Sequence, residues 1–217
     1  MTHVPHARVA VLSDFDGTLT PSCTIDMLYG RFAAPSWMEV TQRWERGEIG
    51  TREELETNFP TMKASRAEME SALDVVTLDP GVPALLAFCQ QRDYPFAIVS
   101  DGLTWYIEYI LGRHGLRDIT LYASEIRFEA EGLRLSFPWY DPSSPLRGVG
   151  KAAIVRRYQQ QGYRVAFIGD GQSDMEVVGV ADVLYAKEGL LKYCREHGAE
   201  AVEYSALSDV LAGWKDP

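Results

Sequence analysis

Cysteine is scarce in this sequence: Cys23, Cys89 and Cys194 are the only three in 217 residues. Odd in number and far apart, they fit neither a disulfide framework nor a zinc-ligand spacing. They are expected to be free thiols in a reducing compartment. Histidine is sparse too, and His3, His6, His114 and His197 show no metal or triad spacing. Each is read as a surface or packing residue. No apolar run approaches the length of a membrane-crossing helix. The first residues, MTHVPHARVAVLS, carry no cationic leader before a long apolar stretch, so no signal peptide is expected. Basic residues are in deficit, 21 against 31 acidic ones, for a net charge of -10. That balance argues against a nucleic acid or an anionic membrane as partner. A cytoplasmic chain, monomeric or homodimeric, is the expectation.

Hydrophobic residues at 46% and charged residues at 24% are ordinary for a globular fold. The length suits a core domain carrying a modest insertion. No internal repeat or low-complexity segment breaks it.

The densest signal is Arg8 to Thr20, RVAVLSDFDGTLT. Val9 to Leu12 form a short continuous apolar run, as in a central strand covered on both faces. It ends at Asp14-Phe15-Asp16-Gly17-Thr18. Two carboxylates directly after a buried strand are costly to desolvate unless a cation or donors receive them. The competing reading, an Asp-rich turn that merely ends a strand, explains fewer of these parts.

From Pro21 to Asp79 the signals are helical. Thr51-Arg52-Glu53-Glu54 and Ser65-Arg66-Ala67-Glu68 read as capping boxes, and Pro35-Ser36 as another helix start. Beyond Asp79-Pro80-Gly81, strands and helices alternate. Helices are expected over 82–91, 103–111, 151–161 and 190–197. Strands are expected over 96–99, 119–122, 164–168 and 182–186, with a hairpin over 126–137 turning at Glu131-Gly132. Ser173-Asp174-Met175-Glu176 reads as a further capping box opening a helix. Such alternation predicts an α/β fold, a doubly wound parallel sheet with right-handed crossovers. Strands one, two and four then bring three polar clusters to one edge: Asp14 with Asp16, Ser100-Asp101-Gly102, and Gly169-Asp170-Gly171. In open α/β sheets ligands bind at that edge.

Four separated pieces, Asp14-Phe15-Asp16-Gly17-Thr18, Ser100, Lys151, and Gly169-Asp170-Gly171-Gln172-Ser173-Asp174, occur in the order of the motifs of the haloacid dehalogenase superfamily. The resemblance spans nearly the whole chain. It implies a Rossmann-like core over 1–20 and 80–217, and a small helical cap over 21–79. It implies a phosphomonoesterase acting on a small phosphorylated metabolite, with Asp14 as nucleophile and Asp16 as acid/base. It also implies Mg²⁺ held by the Asp14 carboxylate, the Asp16 carbonyl and Asp170, with Asp174 ligating directly or through water. Ser100 and the N–H groups of Asp101 and Gly102 are expected to hold phosphate oxygens, though Ser100 also suits a turn.

Lys151, at a helix start, faces the positive end of the macrodipole, a conflict that a bound phosphate would relieve; a solvated surface lysine is the alternative. Gly148-Val149-Gly150-Lys151 is no nucleotide P-loop, because the required first glycine falls at Pro145 and Ala152 replaces the Ser or Thr. Asp170 and Asp174 also suit turn and helix-start positions. Within the family the early cap resembles the phosphoserine-phosphatase-like branch, whose amino-group-binding Glu corresponds by motif offset to Cys23. Residues 32–38 and 191–196 look more like the methionine-salvage enol-phosphate phosphatases. A phosphotransferase to an alcohol and a non-catalytic phosphate-binding protein stay open. The cap aromatics Tyr29, Phe32, Trp37, Trp44 and Phe59 either line a pocket or pack the cap, and for most of them packing is the expectation.

Overall fold

The computed structural model describes residues 8–129 and 132–217. His3, His6, the residues before Arg8 on which the signal-peptide expectation rests, and the expected turn at Glu131 lie outside that range. Seven strands form one sheet: β1 (Arg8–Ser13), β2 (Phe96–Leu103), β3 (Thr120–Glu129), β4 (Gly132–Ser136), β5 (Tyr163–Gly169), β6 (Val183–Ala186) and β7 (Val202–Glu203). Their order is β4-β3-β2-β1-β5-β6-β7, parallel throughout except for the antiparallel β3–β4 pair. Strand β1 is central, and successive strands leave it in both directions, which opens a crevice beyond its carboxyl end.

The apolar run of β1 has a two-sided explanation. Val11 joins the cluster on one face, while Ala10 and Leu12 join the cluster on the other. Alternation is present, but both faces are buried, so every position reads as apolar. The Val11 face is covered by α5 (Val82–Gln91), α6 (Thr104–Arg113) and the C-terminal α9 (Leu207–Ala212). The Leu12 face is covered by α7 (Lys151–Gln160) and α8 (Glu188–Glu196).

Between β1 and α5 run α1 (Thr24–Phe32), α2 (Trp37–Glu45), α3 (Thr51–Asn58) and α4 (Arg66–Leu73), with a 3₁₀ turn at Phe59–Thr61. The two ends of this insertion meet where the Asp79 N–H donates to the Leu19 carbonyl at 2.8 Å. Its apolar side chains do not form a separate core. Leu28, Tyr29, Leu55, Phe59, Met69 and Leu73 belong to the same cluster as Val11, Phe15 and Leu19. Tyr29 packs between Trp37 and Phe59, and Phe32 lies against the same cluster, so four of the five named aromatics serve packing.

Some local expectations change. Ser65 does close a capping box with Glu68, but α3 starts at a Gly50 cap with no side-chain bond, because the Thr51 hydroxyl is used elsewhere. Gln172–Val177 is a 3₁₀ turn and not an α-helix, since Ser173 and Asp174 turn inward. The strand expected over 119–122 and the first arm of the hairpin are one strand, β3. Its middle, Ala123 and Ser124, is buried and so carries no turn. The short β7 and α9 had no clear signal. Cys89 and Cys194 are buried, Cys23 is half-buried, and all three are free thiols. No helix among the described residues is long and apolar enough to cross a membrane.

Candidate active site

Register brings the polar clusters together. Ser13 pairs with Ile98 and Ile168, so Asp14 leaves β1 level with the end of β5, where Gly169-Asp170 follows. Strand β2 continues through Ser100-Asp101-Gly102 to Leu103, and its pairing with β3 slips between Val99 and Leu103. The expected residues converge on a cavity of about 400 Å³ lined by Asp14, Asp16, Ser100, Asp101, Gly102 and Asp170.

Lys151 is not a surface lysine. Its side chain is 0% exposed, and Nζ lies 2.8 Å from Asp14 Oδ2 and 2.7 Å from Asp174 Oδ1. Nζ also donates to Ser173 Oγ at 2.9 Å. The macrodipole conflict is relieved by Glu176, whose Oε1 accepts from the backbone N–H groups of Lys151 and Ala152 at the start of α7. Burial works to lower the Lys151 pKa, but Asp14 and Asp174 outweigh it and hold the ammonium charged.

Asp174 is fully used: besides Lys151, its Oδ2 accepts from the N–H groups of Asp170 and Gly171 at 2.9 and 3.1 Å. Asp170 accepts from the Thr18 hydroxyl at 2.6 Å. Gly17 has φ +75°, and a Cβ there would fall 2.3 Å from Asp170 Oδ2, so this turn requires glycine for both conformation and space.

One oxygen each from Asp14, Asp170 and Asp174 lies within 4.8 Å of the others. Burial, then the Asp174 charge, push Asp170 up to about 7. Burial raises Asp14 well above the usual carboxylate range; Lys151 opposes this, and Asp174 and Asp170 add to it. One lysine therefore does not balance the carboxylates. The donors are all hard oxygens, which fits a small divalent cation.

Asp16 stands half-buried across the cavity, its carboxylate held from two sides. The Thr24 N–H donates to Oδ1 at 2.7 Å and the Tyr106 hydroxyl to Oδ2 at 2.5 Å. Burial raises its pKa, against these donors. The Asp101 carboxylate is taken up by neighbouring donors. Its Oδ1 accepts from the N–H groups of Gly148 and Val149 at 3.1 and 2.8 Å, and its Oδ2 from the Thr51 hydroxyl at 2.8 Å. Thr51 in turn accepts from Trp44 Nε1 at 3.0 Å, and its N–H donates to the Leu146 carbonyl at 2.9 Å. Asp101 thus joins the strand end, the loop leading to Lys151, and α3.

The insertion side of the cavity presents Ile25, Trp44 and Leu55 beside Asp26, Glu45 and Glu54, with Cys23 at its entry. Of the five aromatics named from sequence, Trp44 lines it. Glu54, Tyr106, Thr51, Thr24 and Glu176 carried no signal as site residues. Each acts through a partner 8 to 90 positions away, beyond the reach of any spacing rule.

A family model described as haloacid dehalogenase-like hydrolase matches residues 11–178. The 2-hydroxy-3-keto-5-methylthiopentenyl-1-phosphate phosphatase of an Exiguobacterium species is 28% identical over 209 residues, covering 94% of this chain and 96% of the relative. The protein of the same name from Microcystis aeruginosa is 29% identical over 206 residues, covering 92% and 94%. Among solved structures, a substrate-bound phosphoserine phosphatase complex superposes with a TM-score of 0.72 at 20% identity, covering 96% of this chain and 99% of that one. At that identity the likeness speaks for the fold.

Proposed function

The chain belongs to the haloacid dehalogenase-like hydrolase family, and on that premise we propose that it is a Mg²⁺-dependent phosphomonoesterase in which Asp14 is the nucleophile. The carrying observation is the meeting, at one strand edge, of Asp14 and Asp170, both lining one cavity, with the buried Lys151 ammonium against Asp14.

In the proposed reaction an Asp14 carboxylate oxygen attacks phosphorus and the bond to the leaving oxygen breaks, while Asp16 gives that oxygen its proton. Asp16 then accepts a proton from water as the water oxygen attacks the aspartyl-phosphate. Inorganic phosphate leaves and Asp14 returns to a carboxylate. Ser100 and the N–H groups of Asp101 and Gly102 hold non-bridging oxygens, the Gly102 N–H giving up its 3.1 Å bond to Ser100 Oγ, and Lys151 offsets negative charge around Asp14. Mg²⁺, which would be held by Asp14, the Asp16 carbonyl and Asp170, with Asp174 ligating directly or through water, would neutralise the carboxylates and the phosphoryl group. The insertion over 21–79 acts as a cap that excludes water and reads the leaving group.

The substrate proposed first is the methylthiopentenyl enol-phosphate named for the relatives. Ile25, Trp44 and Leu55 give its thioether tail an apolar wall. Asp26, Glu45 and Glu54 on the same side favour a second reading, an amino-bearing phosphate such as phosphoserine. Turnover of the two substrates is to be compared with and without chelator. The first reading expects a higher kcat/KM for the enol-phosphate, lost on chelation and restored by Mg²⁺. Preference for phosphoserine reverses the order, and chelator-resistant turnover removes the metal.

A further inference from the structure

Asp16 needs more than proximity to serve as proton donor and acceptor. The second torsion of an aspartate is broad and roughly two-fold, so a carboxyl at a cavity wall keeps one orientation only when both its oxygens are engaged. Here the two grips come from different parts of the fold. The Thr24 N–H belongs to the first residue of α1, in the insertion, and the Tyr106 hydroxyl to α6, beneath the sheet edge.

Tyr106 is fully buried, with its ring set against Phe15, between the two motif aspartates, at a centroid distance of 6.3 Å. Phenylalanine would fill the same apolar space without a hydroxyl to satisfy. The path of that hydroxyl is reserved by Gly102, where a Cβ would fall 1.9 Å from the Tyr106 oxygen and 3.1 Å from Asp16 Oδ2. A glycine with no positive φ is thus required by a close approach. Gly102 and Tyr106, four positions apart, make one cradle for the distant Asp16.

We propose that Tyr106 is the positioning residue for Asp16, its hydroxyl holding the carboxyl toward the leaving oxygen and bonding more strongly to it as the proton departs. This rests on the reading of Asp16 as acid/base. The physical reason is differential: a hydroxyl donates more strongly to a carboxylate than to a neutral carboxylic acid. The gain therefore grows with the degree of proton transfer in the transition state. An alkoxide leaving group needs that proton; a p-nitrophenolate scarcely does.

The test is the leaving-group dependence of kcat/KM in the full-length protein with Mg²⁺, using p-nitrophenyl phosphate, phenyl phosphate and an alkyl phosphate. Tyr106→Phe is expected to lower kcat/KM by about 10- to 100-fold for the alkyl ester, the size of a lost charge-assisted hydrogen bond. For p-nitrophenyl phosphate it is expected to stay within about threefold, because little proton transfer is needed. An equal loss for all three esters, or no loss for any, overturns the proposal, since a merely structural role scales every substrate alike. Incorporating 3-fluorotyrosine at position 106 keeps the shape and makes a stronger donor. The alkyl-to-aryl ratio is then expected to hold or rise, and a fall overturns the assignment even if the Phe variant folds poorly. Asp16→Asn, measured in parallel, separates the premises. A flat leaving-group response there removes Asp16 as proton donor. A steep one beside a flat Tyr106→Phe response overturns the role of Tyr106 alone.

Discussion

Two buried acids in this molecule are held in opposite ways. Asp14, at the edge of the sheet, faces a buried lysine at 2.8 Å and two further carboxylates. Glu54, inside the insertion, meets no cation in its bonding shell among the described residues. Its oxygens accept from Asn58 Nδ2 at 2.8 Å and from the Thr41 and Tyr29 hydroxyls, both at 3.3 Å. Neutral donors tie three helices, α1, α2 and α3, to one carboxyl and leave its charge poorly compensated, so burial raises its pKa to about 7. The comparison separates a carboxyl that organises helices from carboxyls assembled to manage charge. Buried polar groups need partners in either case, and the kind of partner distinguishes the two uses.

The sharpest way to break this division is to remove each acid's charge in turn. Asp14→Asn is expected to cut p-nitrophenyl phosphate turnover by about 10⁴-fold or more, as for other lost nucleophiles, with a small change in melting temperature. If that variant retains substantial turnover, the edge cluster is not the reacting centre.

Glu54→Gln should act on stability instead. Glu54 titrates near 4.5 when unfolded and near 7 when folded, so folding favours its protonated form. Its contribution is fully present below pH 4.5 and is lost as pH rises through about 7, amounting to about 3 kcal/mol at 1.36 kcal/mol per unit. Urea unfolding between pH 5 and pH 8 should show the wild type losing stability relative to Glu54→Gln across that window. Parallel pH dependences would show that Glu54 is not the strained acid the geometry describes.

The smallest effect probes the bond between the two regions. Thr51→Val removes the hydroxyl that joins α3 to Asp101 and should cost about 1 kcal/mol in urea unfolding. Turnover should fall less than in Asp14→Asn, and a comparable fall would make the link part of the chemistry.

Much of the core was legible because its signals are local. A strand buried on both faces must be apolar at every position, as Val9 to Leu12 are, and glycine must follow where chains pass closely, as at Gly17. Local signals misled where a side chain had a distant partner. Thr51 and Ser173 read as helix caps because Ser and Thr favour that position, yet one binds Asp101 and the other receives the Lys151 ammonium.

The sequence by itself determined the order of strands and helices and the acids that end β1 and β5, since hydrophobic period and turn chemistry act within a few residues. Only the tertiary structure decided that Lys151 is buried between Asp14 and Asp174, that the Asp101 carboxylate holds α3 through Thr51, and that Tyr106 reaches Asp16. Those pairings span 23 to 137 positions, and sheet order, which no spacing encodes, brings them within hydrogen-bonding distance.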